Sequence, residues 1–123
     1  VTQCPDCYDS LAHIVYPLRY IPRDGVSLTL ADYEEQVRQI FTEVAKTDHA
    51  LEVNVCRGRD LDCWPPLLRW FKECGGQLVT VGADAHRPQD VGRGIPEALQ
   101  MLQAAGFDCV TTFAGRKPVL HKL

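Results

Sequence analysis

Leu78-Val79-Thr80-Val81-Gly82 runs directly into Ala83-Asp84-Ala85-His86. The first five residues form a short apolar, β-branched run, which reads as a buried strand. Buried strands of this kind belong to parallel sheets whose faces are covered by helices. The flanks agree. Upstream, Pro65-Pro66 suits the first turn of a helix, its apolar stripe is Leu67, Leu68, Phe71 and Cys74, and Gly75-Gly76 ends it. Downstream, Ile95, Ala98, Leu99 and Leu102 recur at helical spacing and Gly106 closes the element.

The same alternation continues outward. Leu51, Val53 and Val55 alternate with Glu52 and Asn54, a strand signal. Before it, Thr29 is placed as an N-cap with Asp32 three positions on, and Leu30, Tyr33, Val37, Ile40, Phe41 and Val44 share one helical face. Residues 10–15 form a further apolar strand, and residues 16–25, with two prolines and a glycine, form a loop. Cys109 to Phe113 is another strand and Lys117 to Lys122 a last short one. Strands alternating with helices, their starts roughly 30–40 residues apart, predict α/β architecture of parallel βα repeats. Four units are about half of a (β/α) barrel, whose usual length is about 250 residues.

The chain has 123 residues, a net charge of −3 and hydrophobic residues at 46%. Such a composition is that of a globular domain or a piece of one. No apolar stretch of about 18 residues occurs, so no membrane span is expected. Scattered Lys and Arg under an acidic balance argue against a nucleic-acid partner. The first residues lack both the basic start and the apolar run of a signal peptide. They also lack a starting Met, and Val1 is expected to be an internal point of a longer chain. Of the six cysteines, Cys4 and Cys7 have CxxC spacing, but no second close pair completes a zinc knuckle. Reduced cysteines in a cytoplasmic protein are expected instead.

In parallel α/β folds the loops after the strands converge on one edge and carry the chemistry. Asp84 and His86 follow the central strand two residues apart, so both side chains leave an extended strand end on the same side. A carboxylate and an imidazole so placed suit a divalent ion. His13 lies within an apolar run, where a satisfied core histidine competes with a ligand. Arg19, Arg57 and Arg59 follow the first two strands, where guanidinium forks suit a phosphate. Glu52 and Asn54 share one strand face; inside a barrel they would be polar groups in a demanding place. No nucleophilic Ser or Cys motif stands out.

Three segments together carry a resemblance. They are Asp9 to Tyr20, Ala50 to Asn54, and Gly82-Ala83-Asp84-Ala85-His86-Arg87-Pro88-Gln89-Asp90-Val91-Gly92. With Glu97-Ala98-Leu99, Ala105-Gly106-Phe107 and Arg116-Lys117-Pro118, they resemble the histidinol-phosphatase branch of the polymerase and histidinol phosphatase (PHP) superfamily over nearly the whole chain. The resemblance implies that residues 1–123 are a single partial domain, the C-terminal half of a distorted (β/α)₇ barrel. It also implies hydrolysis of a phosphate ester, histidinol phosphate in that branch, at a cluster of two or three divalent ions (Zn, Mn or Fe). His13 matches a metal-ligand histidine, Asp84 and His86 match the closing Asp-x-His pair, and Arg19 with Arg57 or Arg59 matches phosphate-binding arginines.

Two departures stand out. Val15 replaces an Asp two residues after the ligand histidine, and Ala83 replaces a Ser before Asp84. The opening His-x-His and further ligands of the first barrel half are absent, and His49 and His121 occupy no ligand motif. The expectation is therefore an isolated chain without phosphatase activity. Its open sheet edges should be covered by the missing N-terminal half or by self-association. Another PHP phosphoesterase and a degenerate, non-catalytic PHP module are the competing readings.

Overall fold

A computed structural model of the chain describes residues 7–20, 25, 27–59 and 61–123. Val1 and most of the Cys4–Cys7 pair therefore lie outside the described residues. Three parallel strands, β1 (Ser10–Leu11), β2 (Ala50–Asn54) and β3 (Val79–Gly82), form one sheet in the order β1-β2-β3. Helices α1 (Glu34–Ala45) and α2 (Trp64–Glu73) are the crossovers between them, and α3 (Ile95–Ala104) follows β3.

Each helix has a local cause. Asp32 accepts hydrogen bonds from the Thr29 amide at 2.6 Å and the Thr29 hydroxyl at 2.9 Å. These bonds hold the Asp32 carboxyl below the usual carboxylate range. The turn they fix, Leu30–Tyr33, is a 3₁₀ segment that leads into α1. Val37, Phe41 and Val44 are buried as the spacing predicts, whereas Tyr33 is exposed. In α2, Leu67, Leu68 and Phe71 are fully buried together with Trp64. The Phe71 ring meets Phe41 edge-on, with centroids 5.2 Å apart, and stacks on Phe107 at 6.5 Å. Helix α2 packs against both α1 and α3.

The sheet consequently has two unlike faces. Leu51, Val53 and Val79 lie beneath the helices with no exposed surface. On the other face, Glu52 stands beside Thr80 in the register, and Thr80 Oγ1 bonds the Ser10 hydroxyl at 2.9 Å. Asn54 is buried at 2% exposure, with its Oδ1 accepting from the Cys56 amide at 3.0 Å. Its carbonyl accepts from Trp64 Nε1 at the same distance. No described helix is long and apolar enough to cross a membrane.

Two expectations need correcting. The first strand ends at Leu11, and His13, Ile14 and Val15 belong to a turn in which the Tyr16 amide donates to the His13 carbonyl at 2.9 Å. The fourth strand does not extend the parallel sheet. Instead β4 (Cys109–Ala114) pairs antiparallel with β5 (Lys117–Lys122) as a hairpin that lies against β3. Its turn places Gly115 at φ 55° and Arg116 at φ 64°, the twist that suits a two-residue hairpin. Chain neighbours with a tight connection pair more readily than strands separated by a helix.

Candidate functional site

Because the three sheet strands are parallel, their carboxyl ends share one edge, and three loops leave it. The first carries His13, the second Cys56-Arg57-Gly58-Arg59, and the third Asp84 and His86. Of five non-glycine residues with positive φ among the described residues, four lie in these loops. They are His13 at 59°, Cys56 at 44°, Arg57 at 61° and Asp84 at 54°. Such conformations cost energy and persist where the surroundings dictate them, which is characteristic of functional loops.

The second and third loops are tied together. The Val55 amide donates to the Gly82 carbonyl at 2.9 Å and the Arg57 amide to the Ala83 carbonyl at 2.8 Å, continuing the β2–β3 ladder beyond the strands. Arg57 Nη1 donates to the Asp84 carbonyl at 2.7 Å and lies 3.1 Å from His86 Nδ1. The other imidazole nitrogen, Nε2, is 3.2 Å from Asp84 Oδ1. Asp84 and Arg57 are each 15% exposed, whereas His86 stands 70% exposed at the rim. Thus Asp84 and His86 are adjacent, and one guanidinium bridges them.

Arg59 is placed differently. Its Nε donates to the Cys56 carbonyl at 3.3 Å while its guanidinium reaches an open recess of about 380 Å³. Arg57, Arg59, His86, Arg87, Asp90 and Arg93 line that recess. Four arginines against one aspartate make it an anion-attracting surface. Arg87, within the segment 82–92, and Arg93, just beyond it, had no role assigned from the sequence; their signal was simply basic residues in the loop after Asp-x-His.

His13 lies across the sheet from the pair, beyond the end of β1. Its amide donates to Glu52 Oε2 at 3.3 Å, and its Nδ1 is 3.4 Å from the same oxygen. With 48% of its side chain exposed, it is no core histidine. Arg19 closes the short 3₁₀ turn Tyr16–Arg19; its side chain lies outside what the structure describes. His49, immediately before β2, is bonded to Thr47, and His121 to Thr112 in the hairpin; neither is at the carboxyl edge.

Among the described residues, no three His, Cys, Asp or Glu side chains converge as a metal-holding group. The donor chemistry of Asp84 and His86 fits a divalent ion, as part of a coordination sphere.

No family model matches the chain. Individual proteins do. The probable histidinol-phosphatase of Thermotoga maritima is 31% identical over 121 residues, covering 94% of this chain and 48% of that protein. The histidinol-phosphatase of Lactococcus lactis is 32% identical over 120 residues, covering 95% of this chain and 45% of its own length. A crystal structure of histidinol phosphate phosphatase from Lactococcus lactis, in complex with zinc, L-histidinol and phosphate, superposes with a TM-score of 0.75. That match is 26% identical and covers 97% of this chain and 46% of the other. The chain is thus similar to histidinol-phosphatases over nearly its whole length. It spans about half the length of the curated relatives it matches.

Proposed function

We propose that residues 1–123 are a partial PHP domain, the C-terminal half of a histidinol-phosphatase-type barrel. In the intact protein they serve the hydrolysis of a phosphate monoester such as histidinol phosphate, giving the alcohol and phosphate. The observation that carries this reading is the Asp84–His86 contact at the carboxyl end of β3, on the edge that also bears His13. Coverage of about half of each histidinol-phosphatase relative supports the partial barrel. So does the polar face of Ser10, Glu52 and Thr80, which suits a barrel interior.

In this reading Asp84, His86 and His13 hold divalent metal (Zn, Mn or Fe) together with donors from the other half. A metal held there supplies Lewis acidity toward the phosphoryl oxygens. Arg59, open to the recess, neutralises the phosphate and orients it with Arg19. Arg57 braces the Asp84–His86 pair through its Nη1, which meets both residues. Sheet edges at β1 and the polar face are covered by the missing half or by a second copy. The proposal places the protein in the cytoplasm, where thiols such as buried Cys56 stay reduced.

A second reading, a non-catalytic PHP module, is favoured by one observation: no three donors converge among the described residues. Assaying a phosphate ester with Zn²⁺, Mn²⁺ or Fe²⁺ separates them. The expected result is no turnover by residues 1–123 alone and turnover by the longer polypeptide that contains them, abolished by Asp84→Ala. Turnover by the isolated chain, lost in Asp84→Ala, overturns the half-barrel reading. Inactivity of the longer polypeptide supports the module.

A further inference from the structure

We propose that Glu52 is the positioning residue of His13, accepting a hydrogen bond from Nδ1–H and leaving Nε2 as the atom that binds metal. The inference rests on the reading of His13 as a metal donor. Its structural half, the Glu52–His13 link, stands on geometry alone.

Glu52 lies mid-strand in β2, between the fully buried Leu51 and Val53. A carboxylate in the centre of a sheet needs polar partners to offset its desolvation. One is plain: Oε2 accepts from the His13 amide at 3.3 Å and stands 3.4 Å from His13 Nδ1. A single oxygen therefore faces both the backbone nitrogen and Nδ1, and its hold on the amide suits the positive φ of His13 at 59°.

The neighbouring strand leaves room for this head group. A Cβ at Gly82 would stand 2.7 Å from Glu52 Oε1, so the carboxylate occupies space that any other residue would contest. Val15, in the same turn as His13, is buried at 4% exposure and has no polar atom to offer the ring. The orienting carboxylate therefore comes from across the sheet. A histidine whose Nδ1–H is engaged by a carboxylate has a fixed tautomer and a more basic Nε2, the usual arrangement behind a metal-ligating imidazole.

The test reads the tautomer without any enzymatic assay. ¹⁵N-histidine-labelled chain, metal-free and above pH 8 so that imidazoles are neutral, gives each ring's tautomer by long-range ¹H–¹⁵N correlation. His13→Gln assigns the His13 signals. His13 is expected as Nδ1–H in the native chain and in Glu52→Gln, whose amide oxygen still accepts. In Glu52→Ala it is expected to revert to the Nε2–H form that free imidazole prefers. Native His13 found as Nε2–H overturns the proposal, and that reading survives even if Glu52→Ala does not fold. An unchanged tautomer in a folded Glu52→Ala overturns it as well. Zn²⁺ titration of the longer polypeptide that contains residues 1–123, which carries the remaining donors, then separates the two claims. Binding weakened about 10–100-fold in Glu52→Ala and retained in Glu52→Gln supports both. A His13 that is Nδ1–H yet indifferent to Zn²⁺ leaves Glu52's link to the ring intact and overturns the metal role of His13.

Discussion

The two arms of the candidate site are built to different standards. Asp84 and His86 are clamped by Arg57 and by the continued β2–β3 ladder, with Asp84 and Arg57 each 15% exposed. His13 stands in the turn that follows a two-residue edge strand, 48% exposed, held through one carboxylate. The difference follows from position in the sheet. The loops after β2 and β3 have neighbours on each other's side, while β1 is the edge of the order β1-β2-β3. An arm between paired strands completes itself. An arm at an open edge depends on what docks there.

The sharpest way to break the contrast is Arg57→Ala. It removes a charged donor from the Asp84 carbonyl and from His86, and hydrogen bonds to charged groups are worth about 1.5–3 kcal/mol. A loss of about that size is expected in urea unfolding, with Arg57→Lys intermediate because it cannot bridge both acceptors. The matching change in the other arm, His13→Ala, should cost within about 0.5 kcal/mol, as for other exposed positions. Equal losses in the two variants would erase the comparison.

Gly82→Ala sharpens it further. The new Cβ meets only the mobile end of Glu52, so the expected stability change is under about 1 kcal/mol. The Glu52 carboxylate should nevertheless shift, and amide chemical shifts should move at His13 while those of Asp84 stay near their native values. Movement at both arms would show that they are mechanically coupled.

The smallest effect concerns a feature remote from both arms. The Asp32 carboxyl is lowered by its bonds from Thr29, so it binds protons more weakly folded than unfolded. Its contribution is therefore full above the unfolded carboxylate pKa of about 4 and is lost as pH falls through the lower folded value. Asp32→Asn should lower stability slightly near neutrality, where the ionised carboxylate contributes fully, and leave it almost unchanged at the acid end, so that this part of the acid dependence disappears. Stability curves recorded from pH 2 to 7 check it.

Much of this was legible from residue order because the relevant physics is local. Apolar spacing at Val37, Phe41 and Val44, or at Leu67, Leu68 and Phe71, assigns a helix face whatever it packs against. The strand 79–82 and the Asp84–His86 doublet after it follow from β-branching and a period of two. Pairing is another matter. Nothing in Cys109 to Phe113 says whether its partner is β3 or the segment 117–122; the Gly115-Arg116 turn settles it by bringing the nearer strand alongside.

By itself, then, the sequence determined the order of helices and strands, and that the chemistry-bearing residues follow strand ends, since both rest on side-chain period and burial. Only the tertiary structure decided which of them meet. Arg57 and His86 are 29 positions apart and Glu52 and His13 are 39, yet parallel pairing brings each couple within reach. A guanidinium in the loop after one strand is tied to the backbone and imidazole of the loop after the next. A glutamate that reads as the wet side of a strand is turned toward a histidine by the space beside Gly82. Proximity across a sheet is set by register and edge position, and neither is written in the spacing of any one segment.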